Sequence, residues 1–121
     1  MGWAAVLGLT VGGIALTATP AWTTEVQACD RWANAPYQSG SFVEGVVGRG
    51  GCGNLVNLQS WLFADLTLWP DPNIGYGSAN LVNGSVTGAG PCSREGRDAY
   101  YNQARTDTGE RSGESQRRVL C

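Results

Sequence analysis

The chain contains no histidine and no lysine; all eight of its basic residues are arginine. Without histidine, the Ser-His-Asp and Cys-His arrangements that activate a nucleophile are excluded, and most metal sites lose their commonest ligand. Without lysine there is neither Schiff-base chemistry nor a Ser-Lys dyad. Charge is sparse from Trp22 to Ser93, the net charge is −2, and no basic stripe appears, so no nucleic-acid partner is expected. After Ala21 no apolar stretch repeats at helical spacing, which argues against packed amphipathic helices. Four cysteines lie too far apart, and without histidines, to form a zinc site. Neither a metal nor a cofactor is expected.

What is present begins with Met1–Ala21, a segment without a single charged side chain. Val6–Leu16 has the length of a signal-peptide apolar region, and Thr19-Pro20-Ala21 offers the small residues a signal peptidase needs. A membrane anchor is the rival reading, since Gly2–Ala21 has the length to span a bilayer. Its glycines, its threonines and Pro20, with no basic cluster following, favour cleavage. Val26-Gln27-Ala28-Cys29 is not read as a lipobox, because Trp22, Glu25 and Gln27 separate the cysteine from the apolar run. The expected mature protein is a single domain over 22–121, secreted and out of contact with the membrane. In that oxidising setting an even number of cysteines reads as a disulfide framework.

Glycines and prolines cut the mature chain into short pieces that read as strands. Asp30–Gln38 ends at the Ser39-Gly40-Ser41 turn, and Phe42–Gly48 ends at Arg49-Gly50-Gly51. Leu55–Leu66 alternates most clearly: Val56, Leu58, Leu62, Ala64 and Leu66 share one face, interrupted only by Ser60. The opposite face carries Asn57, Gln59, Trp61, Phe63 and Asp65. Trp69-Pro70-Asp71-Pro72-Asn73 reads as a loop, since two prolines lack ladder donors. Ile74–Val82 and Ser85–Pro91 flank Asn83-Gly84, a favoured two-residue hairpin pair with positive φ at both positions. Ala99–Thr106 and Ser115–Cys121 complete about seven strands. That count and spacing predict an all-β fold, an antiparallel sandwich of immunoglobulin or fibronectin type. Tyr100 and Tyr101, near the start of a late strand, suit the tyrosine corner of Greek-key sandwiches.

Four cysteines allow three pairings. With the chain reversing at each connection, Cys29 and Cys52 fall at one end of the sandwich, Cys92 and Cys121 at the other. The expected bridges are therefore Cys29–Cys52 and Cys92–Cys121.

For catalysis only carboxylates remain, among them Glu44, Asp65, Asp71, Asp98 and Asp107. A glycosidase needs two of them in a cleft, and a domain this small offers little concavity. Asp71 and Asn73 are weak calcium ligands in sequence terms, because no acid-rich loop surrounds them. Asn83-Gly84-Ser85 matches a glycosylation acceptor, which the hairpin turn explains equally well. The interleaved charges after Arg94 read as a self-compensating surface. The aromatics stand out more: Trp61 and Phe63 on the polar face of the best strand, Trp69 in the next loop, Tyr76 just beyond. Such rings can stack on sugars or anchor a protein partner.

The succession Cys29…Pro36-Tyr37…Gly51-Cys52, Trp69-Pro70-Asp71, Pro91-Cys92-Ser93, Tyr100-Tyr101 and Cys121 resembles small exported four-cysteine β-domain proteins of actinobacteria. All-arginine basic usage with abundant Gly and Ala also suits a high-GC genome. The resemblance implies export and a compact β domain; it implies no activity and no site. The expected function is a secreted, non-catalytic binding or interaction domain for an extracellular ligand, polysaccharide or protein. One alternative is a carbohydrate-binding module using Trp61, Phe63, Trp69 and Tyr76. Another is a secreted inhibitor or antibacterial protein acting through Thr67–Asn73, and a small carboxylate-based hydrolase is the last.

Overall fold

A computed structural model describes residues 29–121; the expected signal segment Met1–Ala21 lies outside them. The described chain forms β1 (Asp30–Ala33), β2 (Tyr37–Ser39), β3 (Phe42–Gly50), β4 (Val56–Ala64), β5 (Asn73–Leu81), β6 (Gly84–Pro91), β7 (Asp98–Thr106) and β8 (Arg118–Leu120). A single 3-10 turn, Cys92–Arg94, sits between β6 and β7. The strands make one antiparallel eight-stranded sheet in the order β1-β3-β6-β5-β4-β7-β8, with β2 also paired to β3. The expected first strand, Asp30–Gln38, is split. Its two halves lie on the same edge of β3, and buried Pro36 falls in the break, where it has no N–H to give a ladder.

β4, β5 and β6 follow one another, and β7 returns across them to lie beside β4. That order is a Greek key. The sheet curls into a half-barrel because its middle is a corner. Long strands β5 and β6 share only the pair Tyr76↔Ala89. Beside it the two backbones cross so closely that a Cβ on Gly77 would strike the Thr87 carbonyl, and one on Gly90 the Ile74 carbonyl. Any other residue at these points would push the strands apart. The all-β, antiparallel expectation therefore holds. The two separate facing sheets of an immunoglobulin-like sandwich are not the pattern of these hydrogen bonds, which run on one path through the corner.

The β5–β6 turn also differs from expectation. Gly84 alone of the pair has positive φ, and Asn83 is not a mirror-image turn residue. Instead its side chain docks on the Cys52 backbone, accepting from Cys52 N at 2.9 Å and donating to Cys52 O at 3.1 Å.

Inside the curl, β4 alternates without exception, placing Val56, Leu58, Ser60, Leu62 and Ala64 inward. Two apolar clusters result. Val43, Leu62, Ala64, Ile74 and Tyr100 form one, with Leu66 packed against it; Val47, Leu58, Val86 and Ala104 form the other. Between them runs a belt one residue deep: Gly45 on β3, Ser60 on β4, Gly88 on β6 and Asn102 on β7, all buried. The expected bridges are both present, Cys29–Cys52 and Cys92–Cys121, and no described cysteine is free. Two disulfides in so small a domain are typical of extracellular proteins.

The open edge of β7 is dressed by its own continuation. Ser112 N donates to Ala104 O while Ser112 Oγ accepts from Ala104 N; Ser115 does the same for Asn102, and each of the four distances is 2.9 Å. Serine hydroxyls thus take the place of strand carbonyls, and the edge is not left as a template for another chain.

Candidate functional site

The alternation that sends Leu58 and Leu62 inward sends Asn57, Gln59, Trp61 and Phe63 outward. Antiparallel pairing then sets their neighbours. Tyr76 stands opposite Trp61 on β5, while Gln103 and Tyr101 stand opposite Trp61 and Phe63 on β7. The rings make a continuous row. Tyr101 stacks on Phe63 with centroids 5.2 Å apart, Phe63 on Trp61 at 6.3 Å, and Tyr76 meets Trp61 edge-on at 5.5 Å. These are the offset and edge-to-face geometries that ring quadrupoles favour. Exposure rises along the row, from buried Tyr101 through half-buried Phe63 and Trp61 to Tyr76, 47% exposed.

Guanidinium groups lie over the rings. Arg105 sits 4.4 Å from the Trp61 centroid and 5.2 Å from that of Phe63, and Arg117 sits 3.9 Å from that of Tyr101. Arg117 is neutralised by Asp65 at 2.8 Å and Glu114 at 3.1 Å. Arg105 donates Nε to Gln103 Oε1 at 3.0 Å. Along the strand an amide chain borders the rings: Trp61 Nε1 donates to Gln59 Oε1, Gln59 to Asn57, and Asn57 to Asn80, all at 2.8–3.0 Å.

Trp69 does not join the row. It stands 73% exposed beside Leu68, 85% exposed, on the rim of a shallow hollow of about 320 Å³ shared with Asp65, Leu66, Thr67 and Asp98. Of the four aromatics expected to act together, Trp61, Phe63 and Tyr76 are adjacent and Trp69 is separate. The loop that carries Trp69 is fixed by Asp71, which accepts from Tyr101 Oη at 2.6 Å and from Leu66 N at 2.9 Å. The Tyr101 bond, then the Leu66 bond, hold the Asp71 carboxyl below its ordinary range. Burial, followed by this same carboxylate, pushes the Tyr101 hydroxyl upward. With its oxygens so engaged, Asp71 is a loop anchor. Asp65 is paired to Arg117, and Asp98 Oδ1 accepts from Ala99 N at 2.7 Å.

Sequence reasoning missed two members of this face and one structural arginine apart from it. Arg105 and Tyr101 belong to the face because β7 pairs with β4 from a distant part of the chain, which no local pattern announces. Arg49 is the third. It is completely buried, yet each of its five N–H groups has an acceptor in Glu110, Asn54 or the Val82 carbonyl. Arg31 also reaches Glu110, at 3.0 Å, so the turn after β7 is tied to β1 and β3. That cluster is structural, a fully satisfied buried charge. The signal available was a lone Arg inside an apolar strand.

The chain matches no protein family, no curated protein and no solved structure.

Proposed function

We propose that this protein is an exported, non-catalytic binding domain, and that the outer face of β4, β5 and β7 is where it meets a polysaccharide. The observation that carries the reading is the graded ring row on an outward sheet face, with Tyr76 and Trp61 at its open end. A domain builds its core from inward residues, and this row adds four rings outside the two inward clusters. Sugar rings stack on such aromatics, and the bordering Asn and Gln amides are of the donor-and-acceptor type that hydroxyls pair with. Two disulfides and the charge-free Met1–Ala21 support export. Kinship with immunoglobulin-like sandwiches is supported by the Greek-key order and by Tyr100, whose hydroxyl donates to the Gly96 carbonyl four residues upstream, as a tyrosine corner does.

Retention on a panel of insoluble and gel-entrapped polysaccharides tests this reading. Wild type should be retained by at least one of them and Trp61→Ala by none; equal retention of the variant refutes it.

One observation favours a second reading, an inhibitor or antibacterial protein. Leu68 and Trp69 project from a loop pinned by Asp71 and stiffened by Pro70 and Pro72. Capture of secreted proteases by wild type but not by Trp69→Ala would favour it.

A further inference from the structure

We infer that the ligand of the aromatic face is an acidic polysaccharide, its sugar ring taken by Trp61 and Tyr76 and its anionic group by Arg105 and Arg111. The inference rests on the reading of that face as glycan-binding and adds the charge of the ligand.

A ligand that approaches Trp61 and Phe63 meets the Arg105 guanidinium, since that group lies over both rings. The two cations on the face are unequal. Arg117 has Asp65 and Glu114 as ion-pair partners, whereas Arg105 has no carboxylate within ion-pair distance among the described residues. Its cross-strand neighbour is exposed Arg111, a second cation without a carboxylate partner in the described structure. Like charges directly opposite on neighbouring strands repel, so a folded protein that keeps them together leaves a place for an anion. Burial, then the nearby Arg111, makes the Arg105 charge harder to hold, while Tyr101 and Glu114 act in the other direction.

A guanidinium fork fits a carboxylate or sulfate with two parallel hydrogen bonds, and a sugar bearing either group would bring its ring within reach of Trp61. A neutral sugar would leave the two cations uncompensated. A nucleic acid would offer phosphates at every step, whereas this chain has a net charge of −2 and, among the described residues, sets one unpaired arginine pair beside the rings.

The test is affinity electrophoresis at physiological salt through gels containing polygalacturonate, its fully methyl-esterified form, or oligodeoxythymidylate. Polygalacturonate should retard wild type, and the neutral ester should do so at least about tenfold more weakly, the loss expected for one charge-assisted contact. Arg105→Gln and Arg111→Gln should each lose a similar factor, and Arg94→Gln should lose none. Arg111→Gln keeps the argument testable if Arg105→Gln disturbs the rings, because Arg111 is exposed and it is Arg105 that lies over Trp61 and Phe63. Equal retardation by acid and ester, abolished by Trp61→Ala, overturns the inference and leaves the glycan-binding face standing. No retardation by either polymer counts against both. Stronger retardation by oligodeoxythymidylate overturns the polysaccharide assignment.

Discussion

The Ser60 hydroxyl lies 2.9 Å from Asn102 Oδ1 at the centre of the core, where it can donate to that oxygen or to the Gly45 carbonyl at 3.0 Å. Asn102 Nδ2 in turn donates to the Val46 carbonyl at 3.2 Å. One hydroxyl and one amide thereby join β3, β4 and β7 between the two apolar clusters. Asn102→Ala should lower stability by about 2–4 kcal/mol, because it opens a cavity and strands buried polar groups together. Gly45→Ala should be comparably harmful, since its Cβ would stand 2.7 Å from Asn102 Nδ2 and 2.8 Å from Leu62 Cδ2. Urea unfolding of the purified domain measures both.

Arg49 sets a second expectation. Its removal would leave the Glu110 carboxylate with Arg31 as its one guanidinium partner, strip the Asn54 and Val82 carbonyls of this donor and open a cavity, so Arg49→Ala should cost about 2–5 kcal/mol. Exposed Arg94, replaced by alanine, should change stability by less than about 0.5 kcal/mol. Thermal melts of the two variants decide it.

Acid should weaken the fold through two carboxylates. The hydrogen bond from Arg49, then the charges of Arg49 and Arg31, hold Glu110 below its ordinary value of 4.5, and Asp71 lies below 3.8 for the reasons given above. In the unfolded chain both return to their ordinary values. The stability they add is therefore complete above that range and is lost as pH falls through it toward the lower folded values. Glu110→Gln should flatten this acid limb while lowering stability at neutral pH. An acid limb unchanged in Glu110→Gln would remove Glu110 from the account.

The two faces of β4 should respond in opposite order to residue size. Leu62 is wholly buried, and Leu62→Ala should cost about 2–5 kcal/mol. Trp61 is much larger, yet it loses mainly ring contacts and the Arg105 interaction, so Trp61→Ala should cost about 1–2 kcal/mol. If Trp61→Ala proved the more damaging in denaturant titrations, the outer row would be a core.

Much of this architecture was legible because it is local or geometrically forced. The alternation of Leu55–Leu66 declares which residues face inward, and the strand count places the cysteines at matching ends. The corner between β5 and β6 was not legible. Nothing local distinguishes the glycines at 75, 77 and 90 from those that merely break strands, and only the crossing shows that two backbones need the space. Asn83-Gly84 misled for the opposite reason: its local turn preference yielded to the long-range docking of Asn83 on Cys52. The site was half visible. Trp61, Phe63 and Tyr76 carry the signature of outward rings, whereas Tyr101, Arg105 and Arg111 join them through pairing across distant chain. Trp69 shares their chemistry but is carried off by a proline-braced loop.

The central claim is that ligand meets this protein on the β4–β5–β7 face. A nitrogen-15 NMR titration of the domain with a galacturonic acid oligomer, and with a neutral cello-oligosaccharide in parallel, tests it most directly. The account predicts that shifts concentrate on the Trp61 indole N–H, now held by Gln59, on the side-chain N–H groups of Gln103 and Arg105, and on the backbone amides of Tyr76, Gln103 and Arg105. Shifts centred instead on Leu68, Trp69 and Asp98, or none with either sugar, would contradict it.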